Sequence, residues 1–168
     1  MTPKVSIIMG STSDLPVLEK AASFLDEMEI PFEMNALSAH RTPEMVEKFA
    51  REAESRGIRV IIAAAGMAAA LPGVIAANTV LPVIGVPVKG MLDGLDAMFS
   101  IIQMPPGIPV ATVGVNAALN AAILAAQILA QNDKETARKV ADYKESLKNK
   151  IVKANDELKQ VQFKFKTN

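Results

Sequence analysis

The stretch "KVSIIMGSTSDLPVLEKAASFLDEM" (residues 4–28) contains a strand, a turn and a helix in direct succession. It begins with a nearly continuous apolar run, which is typical of a strand covered on both faces of a parallel sheet. Asp14 is placed to cap the following helix, and Pro16 falls in its first turn, where a missing N–H costs little. Apolar residues then recur at spacings of three and four, namely Leu18, Ala21, Ala22, Leu25 and Met28.

The same strand-then-helix pattern continues along the chain. Four further β-rich runs are "FEMNAL" (32–37), "RVIIAA" (59–64), "PVIGVP" (82–87) and "PVATVGV" (109–115). Helical segments lie between them, and residues 116–131 form an Ala-rich segment that is expected to be a buried helix. This alternation predicts an α/β fold, a three-layer αβα sandwich around a doubly wound parallel sheet. Five strands favour the flavodoxin-like order 2-1-3-4-5.

The last part of the chain predicts one long helix from Lys134 to about Val161. At 1.5 Å per residue it would be roughly 40 Å long, comparable to the whole domain. Its apolar seam consists of Val140, Leu147, Ile151, Ala154, Leu158 and Val161. We therefore expect a catalytic domain over 1–133 and a helical extension over 134–168 that packs on neighbouring subunits. The alternative is that this helix wraps its own domain and frays at its end.

Charge and composition exclude several classes of protein. Residues 1–133 carry 8 basic and 13 acidic residues, and residues 134–168 carry 10 and 5. The tail charges alternate in sign, as on a solvated helix face, so nucleic-acid binding is not expected. The uncharged stretch Val60–Val88 is cut by prolines and glycines, which argues against a membrane span and for a soluble protein. The absence of cysteine excludes thiolate chemistry and suits the cytoplasm.

Three loops are expected to meet at the edge of the sheet where the strand order reverses, because ligands of such folds bind there. They are "GSTSD" (10–14), "SAHRTP" (38–43) and "AGMAAALPG" (65–73). The hydroxyls and free N–H groups of the first loop suit a phosphate, and its carboxylate suits sugar hydroxyls. The alternative is that Ser11 and Asp14 merely cap the helix. The third loop offers small side chains for a flat ring or a small neutral molecule, or is simply the start of a core helix.

The second loop holds His40, the only histidine, next to Arg41. A histidine can give and take a proton around neutrality, and an arginine offers a fixed positive fork for an anion. A lone histidine is more often structural or merely exposed. Metal binding is not expected, because there is no second histidine, no cysteine and no acidic cluster at ligand spacing.

Long motifs of this chain, in order, resemble the PurE family, the N5-carboxyaminoimidazole ribonucleotide (N5-CAIR) mutases of de novo purine synthesis. The motifs are "MGSTSD", "SAHRTP", "LPGVIAANTVLPVIGVPV", "LDGLDAMFSIIQMPPGIPVATV" and "NAAILAAQIL". The resemblance implies that N5-CAIR loses CO2 in a closed site. Ring carbon C4 then attacks the trapped CO2 and loses its proton, giving CAIR. It also implies a homo-octamer, and it requires no metal and no organic cofactor.

The resemblance also assigns residues. It implies that His40 is the proton shuttle, that Ser11 and Asp14 contact the ribose phosphate, and that Arg41 binds the phosphate. Further residues that it places along the site are Ser13, Ser38, Gly66, Ala68 and Leu71.

One residue departs from the family pattern and leaves alternatives open. Many bacterial mutases have a second histidine where this chain has Ala70, so His40 is expected to carry proton transfer alone. An AIR carboxylase, which would use free CO2, shares the fold and site and remains an alternative. A flavodoxin-like module that binds FMN or a regulatory nucleotide is the non-enzymatic alternative. The absence of tryptophan, with the single Tyr143 in the tail, argues against flavin.

Overall fold

The computed structural model describes all residues, 1–168, and contains one five-stranded sheet. All neighbouring strands run parallel, in the order β2-β1-β3-β4-β5, which confirms the predicted flavodoxin-like topology. The strands are β1 (Val5–Met9), β2 (Phe32–Ala36), β3 (Val60–Ala65), β4 (Val83–Pro87) and β5 (Ala111–Thr112). The helices are α1 (Leu15–Glu27), α2 (Pro43–Glu52), α3 (Leu71–Ala77), α4 (Leu95–Ile102), α5 (Ala118–Leu129) and α6 (Lys134–Gln160).

Two apolar clusters, one on each face of the sheet, form the core. Alternate residues of a strand point to opposite faces, so Ile7 and Ile62 pack with α1 and α5, whereas Ile8 and Ile61 pack with α2, α3 and α4. All four of these isoleucines are fully buried. Helices therefore cover both faces of β1 and β3, as the nearly continuous apolar runs of these strands predicted.

Some boundaries differ from the sequence prediction. The run 109–115 forms only the two-residue strand β5, which pairs with β4 at Ile84 and Gly85. β5 is an edge strand with one neighbour, and its Ala111 is exposed, so little burial favours a longer ladder. The Ala-rich helix begins at Ala118 rather than at 116, because Asn116 adopts a left-handed backbone conformation with φ 56°.

A polar network ties the other edge strand, β2, to its neighbours. The Ser6 hydroxyl, fully buried in β1, donates to Glu33 Oε1 at 3.0 Å. The two terminal nitrogens of Arg56 donate to the two oxygens of the same carboxylate, each at 2.9 Å. Burial alone would raise the pKa of Glu33, but these hydrogen bonds and the charge of Arg56 outweigh it and hold the pKa below its usual value. The network satisfies the buried hydroxyl and holds Glu33 ionised.

The predicted long C-terminal helix is present as α6, but only its beginning packs on the domain. Val140 is buried against the core, and the ring of Tyr143 meets Phe24 of α1 edge-on at 5.0 Å. Beyond this point every residue of α6 is exposed, including the apolar Ile151 and Leu158. The chain has no helix that combines the length and the apolarity needed to cross a membrane.

Candidate active site

The loops that follow β1, β2 and β3 meet in a crevice at the carboxyl edge of the sheet. The crevice encloses a cavity of about 520 Å³, within the size range of small-molecule sites. It lies where β1 is flanked by β2 on one side and β3 on the other, which is the reversal point of the strand order. Eight of the nine residues expected at the site line it: Ser11, Ser13, Asp14, Ser38, His40, Arg41, Gly66 and Leu71.

The first loop forms a short 3₁₀ turn (Thr12–Asp14) that carries polar groups into the crevice. The Ser11 hydroxyl accepts a hydrogen bond from the Ser13 backbone N–H at 3.3 Å, so Ser11 caps this turn. Asp14 occupies the position before α1, but its side chain makes no capping hydrogen bond, contrary to the sequence prediction. Asp14 has helical backbone angles, because the 3₁₀ turn runs directly into α1, and a capping residue normally has extended ones. The Asp14 carboxylate lies in the cavity wall.

The carboxylate of Asp14 is partly withdrawn from water. Burial raises its pKa above the ordinary value of 3.8, although a hydrogen bond from Ser13 and the positive charge of Arg41 act in the opposite direction. Because burial disfavours the ionised carboxylate in the folded protein, the charged form of Asp14 lowers the free energy of unfolding. Perturbed pKa values of this kind are concentrated at functional sites.

We therefore expect Asp14→Asn to make the ligand-free protein more stable at neutral pH. Because the folded pKa is higher than the unfolded one, the unfolded chain releases its proton first, and the stability of the wild type falls as pH rises above 3.8. The asparagine variant has no such dependence. Urea unfolding should show an advantage for Asp14→Asn at about pH 7 that disappears at about pH 3. A variant less stable than the wild type at the higher pH would contradict this explanation.

Arg41 bridges two of the three loops. Its terminal nitrogen Nη2 donates to the Gly10 carbonyl oxygen at 2.6 Å, and its Nε donates to the Ser38 hydroxyl at 3.2 Å. An arginine side chain carries five N–H groups, so three of them remain after these two bonds. The remaining N–H groups lie on the two terminal nitrogens, which is the fork that binds phosphate or carboxylate with two parallel hydrogen bonds.

His40 is the residue before Arg41 and is exposed at the cavity wall. The loop that carries it follows β2 and ends where α2 begins at Pro43. The crevice therefore brings together a proton carrier, a cation and a carboxylate, from His40, Arg41 and Asp14. Nowhere in the chain do three or more histidine, aspartate or glutamate side chains gather as metal ligands.

The third loop is shaped by two non-glycine residues in the left-handed region, Met67 (φ 54°) and Ala69 (φ 41°). These left-handed backbone angles decide which side chains of the loop reach the crevice. Ala68, expected at the site, is exposed and is not part of the lining, whereas Met67, Ala69 and Ala70 are. Left-handed backbone angles are uncommon outside glycine, asparagine and aspartate, so no residue type in this loop indicated them. Strain of this type concentrates at functional sites.

Sequence reasoning also missed the small residues beside the predicted ones. Gly10, Ala39 and Ala65 line the cavity as well; each belongs to one of the three predicted loops but was not itself predicted as a site residue. At Gly66 the chain passes close to β4, because a Cβ there would be in van der Waals contact, at 3.4 Å, with the Val88 carbonyl oxygen. One feature of the sequence could have indicated these lining residues: glycine or alanine occurs at or just after the ends of β1, β2 and β3.

The fold and the crevice define a doubly wound α/β protein with a polar small-molecule site at its reversal point. Residues 4–150 match the family model described as AIR carboxylase, and the chain belongs to that family. A relative from Thermotoga maritima, named N5-carboxyaminoimidazole ribonucleotide mutase, is 55% identical over 96% of this chain and 95% of its own length. A relative of the same name from Pyrococcus abyssi is 58% identical over 87% of this chain and 84% of its own.

Other relatives and a solved structure complete the comparison. Phosphoribosylaminoimidazole carboxylase from Schizosaccharomyces pombe is 51% identical over 97% of this chain, but this chain covers only 30% of that protein. The crystal structure of Treponema denticola PurE superposes with a TM-score of 0.85 at 37% identity, covering 94% of this chain and 99% of that one. The resemblance to the PurE family is thereby confirmed, and so is the fold.

Proposed function

We propose that this protein is an N5-carboxyaminoimidazole ribonucleotide mutase, an isomerase that converts N5-CAIR to CAIR. The observation that carries the proposal is its high identity to relatives of that name over nearly the whole length of both chains. The crevice suits such a substrate, because the Arg41 fork and the N–H groups around Ser11 can hold a phosphate away from the reacting ring. We also propose a cytoplasmic location, which suits a chain without cysteine.

In this proposal His40 moves the one proton that the reaction requires. Release of CO2 from the exocyclic nitrogen of N5-CAIR leaves an amine, which takes up a proton. Attack of ring carbon C4 on the CO2 forms the new C–C bond, and C4 then loses its proton. One proton is gained and one is lost, so a single acid/base group returns to its starting state after each turnover. This balance fits a crevice with one histidine and with Ala70 in its lining.

The remaining side chains hold and enclose the substrate. Ser11 and Asp14 are assigned to the ribose phosphate, Arg41 to the phosphate, and Ser13, Ser38, Gly66 and Leu71 to the lining. Small residues such as Gly66 and Ala70 leave room for the flat ring and for the CO2 molecule next to it. Anchoring the phosphate at a distance from C4 uses binding energy to position the reacting atoms.

The test offers purified protein either N5-CAIR, or AIR with bicarbonate, and follows CAIR formation in each case. We expect rapid conversion of N5-CAIR and use of AIR only at high bicarbonate. Efficient carboxylation of AIR without turnover of N5-CAIR would instead make the protein an AIR carboxylase, the activity in the name of the Schizosaccharomyces pombe relative. Activity with neither substrate would overturn both enzymatic assignments.

The proposal includes a homo-octamer in which the extension 134–168 of one subunit packs on its neighbours. It is supported by the second half of α6, where Leu147, Ile151 and Leu158 expose apolar side chains to 40%, 65% and 55%. Such a seam, in contact with nothing in its own subunit, is costly in water. The excess of positive charge on the extension complements the excess of negative charge on residues 1–133.

We expect Ile151→Lys combined with Leu158→Lys to dissociate the assembly. A charge at either position would be buried without a partner in the interface, which costs far more than it does on an exposed helix. Light scattering should show an octamer for the wild type and smaller species for the double variant. Asn149→Lys, which adds the same charge at an exposed position two residues from Ile151 and therefore on the opposite face of α6, is the matched control and should remain assembled. An unchanged mass for the double variant would remove this seam from the interface.

A further inference from the structure

Thr42 occupies a position at which its hydroxyl would ordinarily cap a helix, but it does not do so. It directly precedes Pro43, the first residue of α2, and threonine is a favoured capping residue. Its side chain makes no capping hydrogen bond to α2, and its backbone angles are φ −139° and ψ 53°. The hydroxyl faces backwards along the chain instead, toward Ser38.

The Thr42 hydroxyl closes the loop that carries His40. Its Oγ1 accepts a hydrogen bond from the Ser38 backbone N–H at 3.0 Å and donates one to the Ser38 carbonyl oxygen at 3.2 Å. The Thr42 backbone N–H also donates to that carbonyl oxygen, at 2.8 Å. Three hydrogen bonds between the same two residues therefore fix the ends of a five-residue loop (38–42), with His40 at its centre.

Ser38 divides its groups between two tasks. Its backbone N–H and carbonyl bind Thr42, while its hydroxyl accepts hydrogen bonds from the backbone N–H and from the Nε of Arg41, both at 3.2 Å. Arg41 has a second anchor on Gly10, whereas the backbone around His40 depends on the closure of the loop. The Thr42 hydroxyl therefore binds the backbone of Ser38, whereas the Ser38 hydroxyl binds Arg41.

We propose that Thr42 is a positioning residue of the enzyme, whose hydroxyl closes the loop and thereby fixes the place of the His40 imidazole. The proposal rests on the proposed function, in which His40 moves the C4 proton. Proton transfer requires the base within hydrogen-bond reach of the carbon, so a loop that is free to open lowers the rate of the chemical step. Substrate binding depends on Arg41, which stays anchored, so it is affected much less.

The variant that tests the proposal is Thr42→Val, which keeps the shape of the side chain and removes the hydroxyl. We expect kcat to fall about tenfold with little change in KM, because both hydrogen bonds of the hydroxyl are lost and only the backbone bond from Thr42 to Ser38 still closes the loop. Thr42→Ser retains the hydroxyl and should restore kcat. Ser38→Ala, which frees Arg41 Nε, should instead raise KM by about tenfold.

A matched control separates this role from a general loss of stability. Thr79 accepts a hydrogen bond from the Leu81 backbone N–H at 3.2 Å and is not among the residues of the crevice. Thr79→Val removes the same kind of bond and should leave both kcat and KM unchanged. If Thr42→Val has the kcat of the wild type, or if Thr42→Ser fails to restore it, the proposal is wrong.

A spectroscopic measurement keeps the proposal testable even if the proposed function fails, which inactivity of the wild type with both substrates would show. Because His40 is the only histidine, its imidazole C–H groups give a single set of NMR signals. Thr42→Val should shift or broaden these signals in the free protein, and Thr79→Val should not. Signals that stay unchanged in Thr42→Val would overturn the positioning role independently of any activity.

Discussion

Replacing His40 with asparagine should abolish turnover of N5-CAIR while leaving its binding largely intact. Asparagine keeps the polarity of the side chain and much of its size, but it cannot carry a proton. General acid–base catalysis contributes about 10² to 10⁴ in rate, and the crevice contains no second histidine to replace it. We therefore expect kcat to fall by about 10³-fold, measured by CAIR formation under saturating substrate.

Two measurements make this result interpretable. Isothermal titration with N5-CAIR or CAIR should give a dissociation constant close to that of the wild type, because the Arg41 fork and the Ser11 turn are untouched. Since His40 is exposed and makes no part of the core, the thermal unfolding midpoint should also be unchanged. A variant that turns over normally would remove His40 from the chemistry, whatever its binding.

Arg41→Ala should act in the opposite way, weakening binding much more than it slows the bound substrate. Hydrogen bonds to a charged group contribute about 1.5–3 kcal/mol, so the dissociation constant should rise by about 10- to 150-fold. Arg41→Lys should recover only part of this loss, because an ammonium group cannot bind phosphate through two parallel hydrogen bonds while also reaching Ser38 and Gly10. Calorimetry with CAIR measures the effect directly.

Arg51 offers the matched control for this substitution. It lies in α2 outside the crevice and is exposed, and it bonds only Glu47 and Asn78. Arg51→Ala changes the net charge of the chain by the same amount as Arg41→Ala, but it should leave the dissociation constant unchanged. An equal loss in both variants would indicate a nonspecific effect of net charge, and unchanged binding in Arg41→Ala would remove this residue from the phosphate site.

The local pattern of the sequence predicted the parallel sheet and the three loops of the site, and five strands favoured the strand order that the structure has. Apolar runs mark strands covered on both faces, and the strand-then-helix alternation requires parallel crossovers. Parallel strands place their carboxyl ends at one edge, so loops distant in sequence had to meet there. For the same reason His40 and Asp14, 26 positions apart in the numbering, could be assigned to one crevice before any contact was known.

Other features depended on contacts that no local pattern encodes. The bond from Arg41 to the Gly10 carbonyl and the network of Glu33, Arg56 and Ser6 join residues from different elements. The backward-facing hydroxyl of Thr42 is likewise invisible to a capping rule, which expects it to point into α2.

The sequence by itself therefore determined the fold class, the edge of the sheet that holds the site, and the identity of most groups that line it, because periodicity and strand direction are local properties. Only the tertiary structure decided that Ala68 lies outside the lining, that β5 is two residues long and that half of α6 has no partner in its own subunit. These outcomes depend on backbone angles and on which surfaces remain to be covered after packing, and both are properties of the whole folded chain.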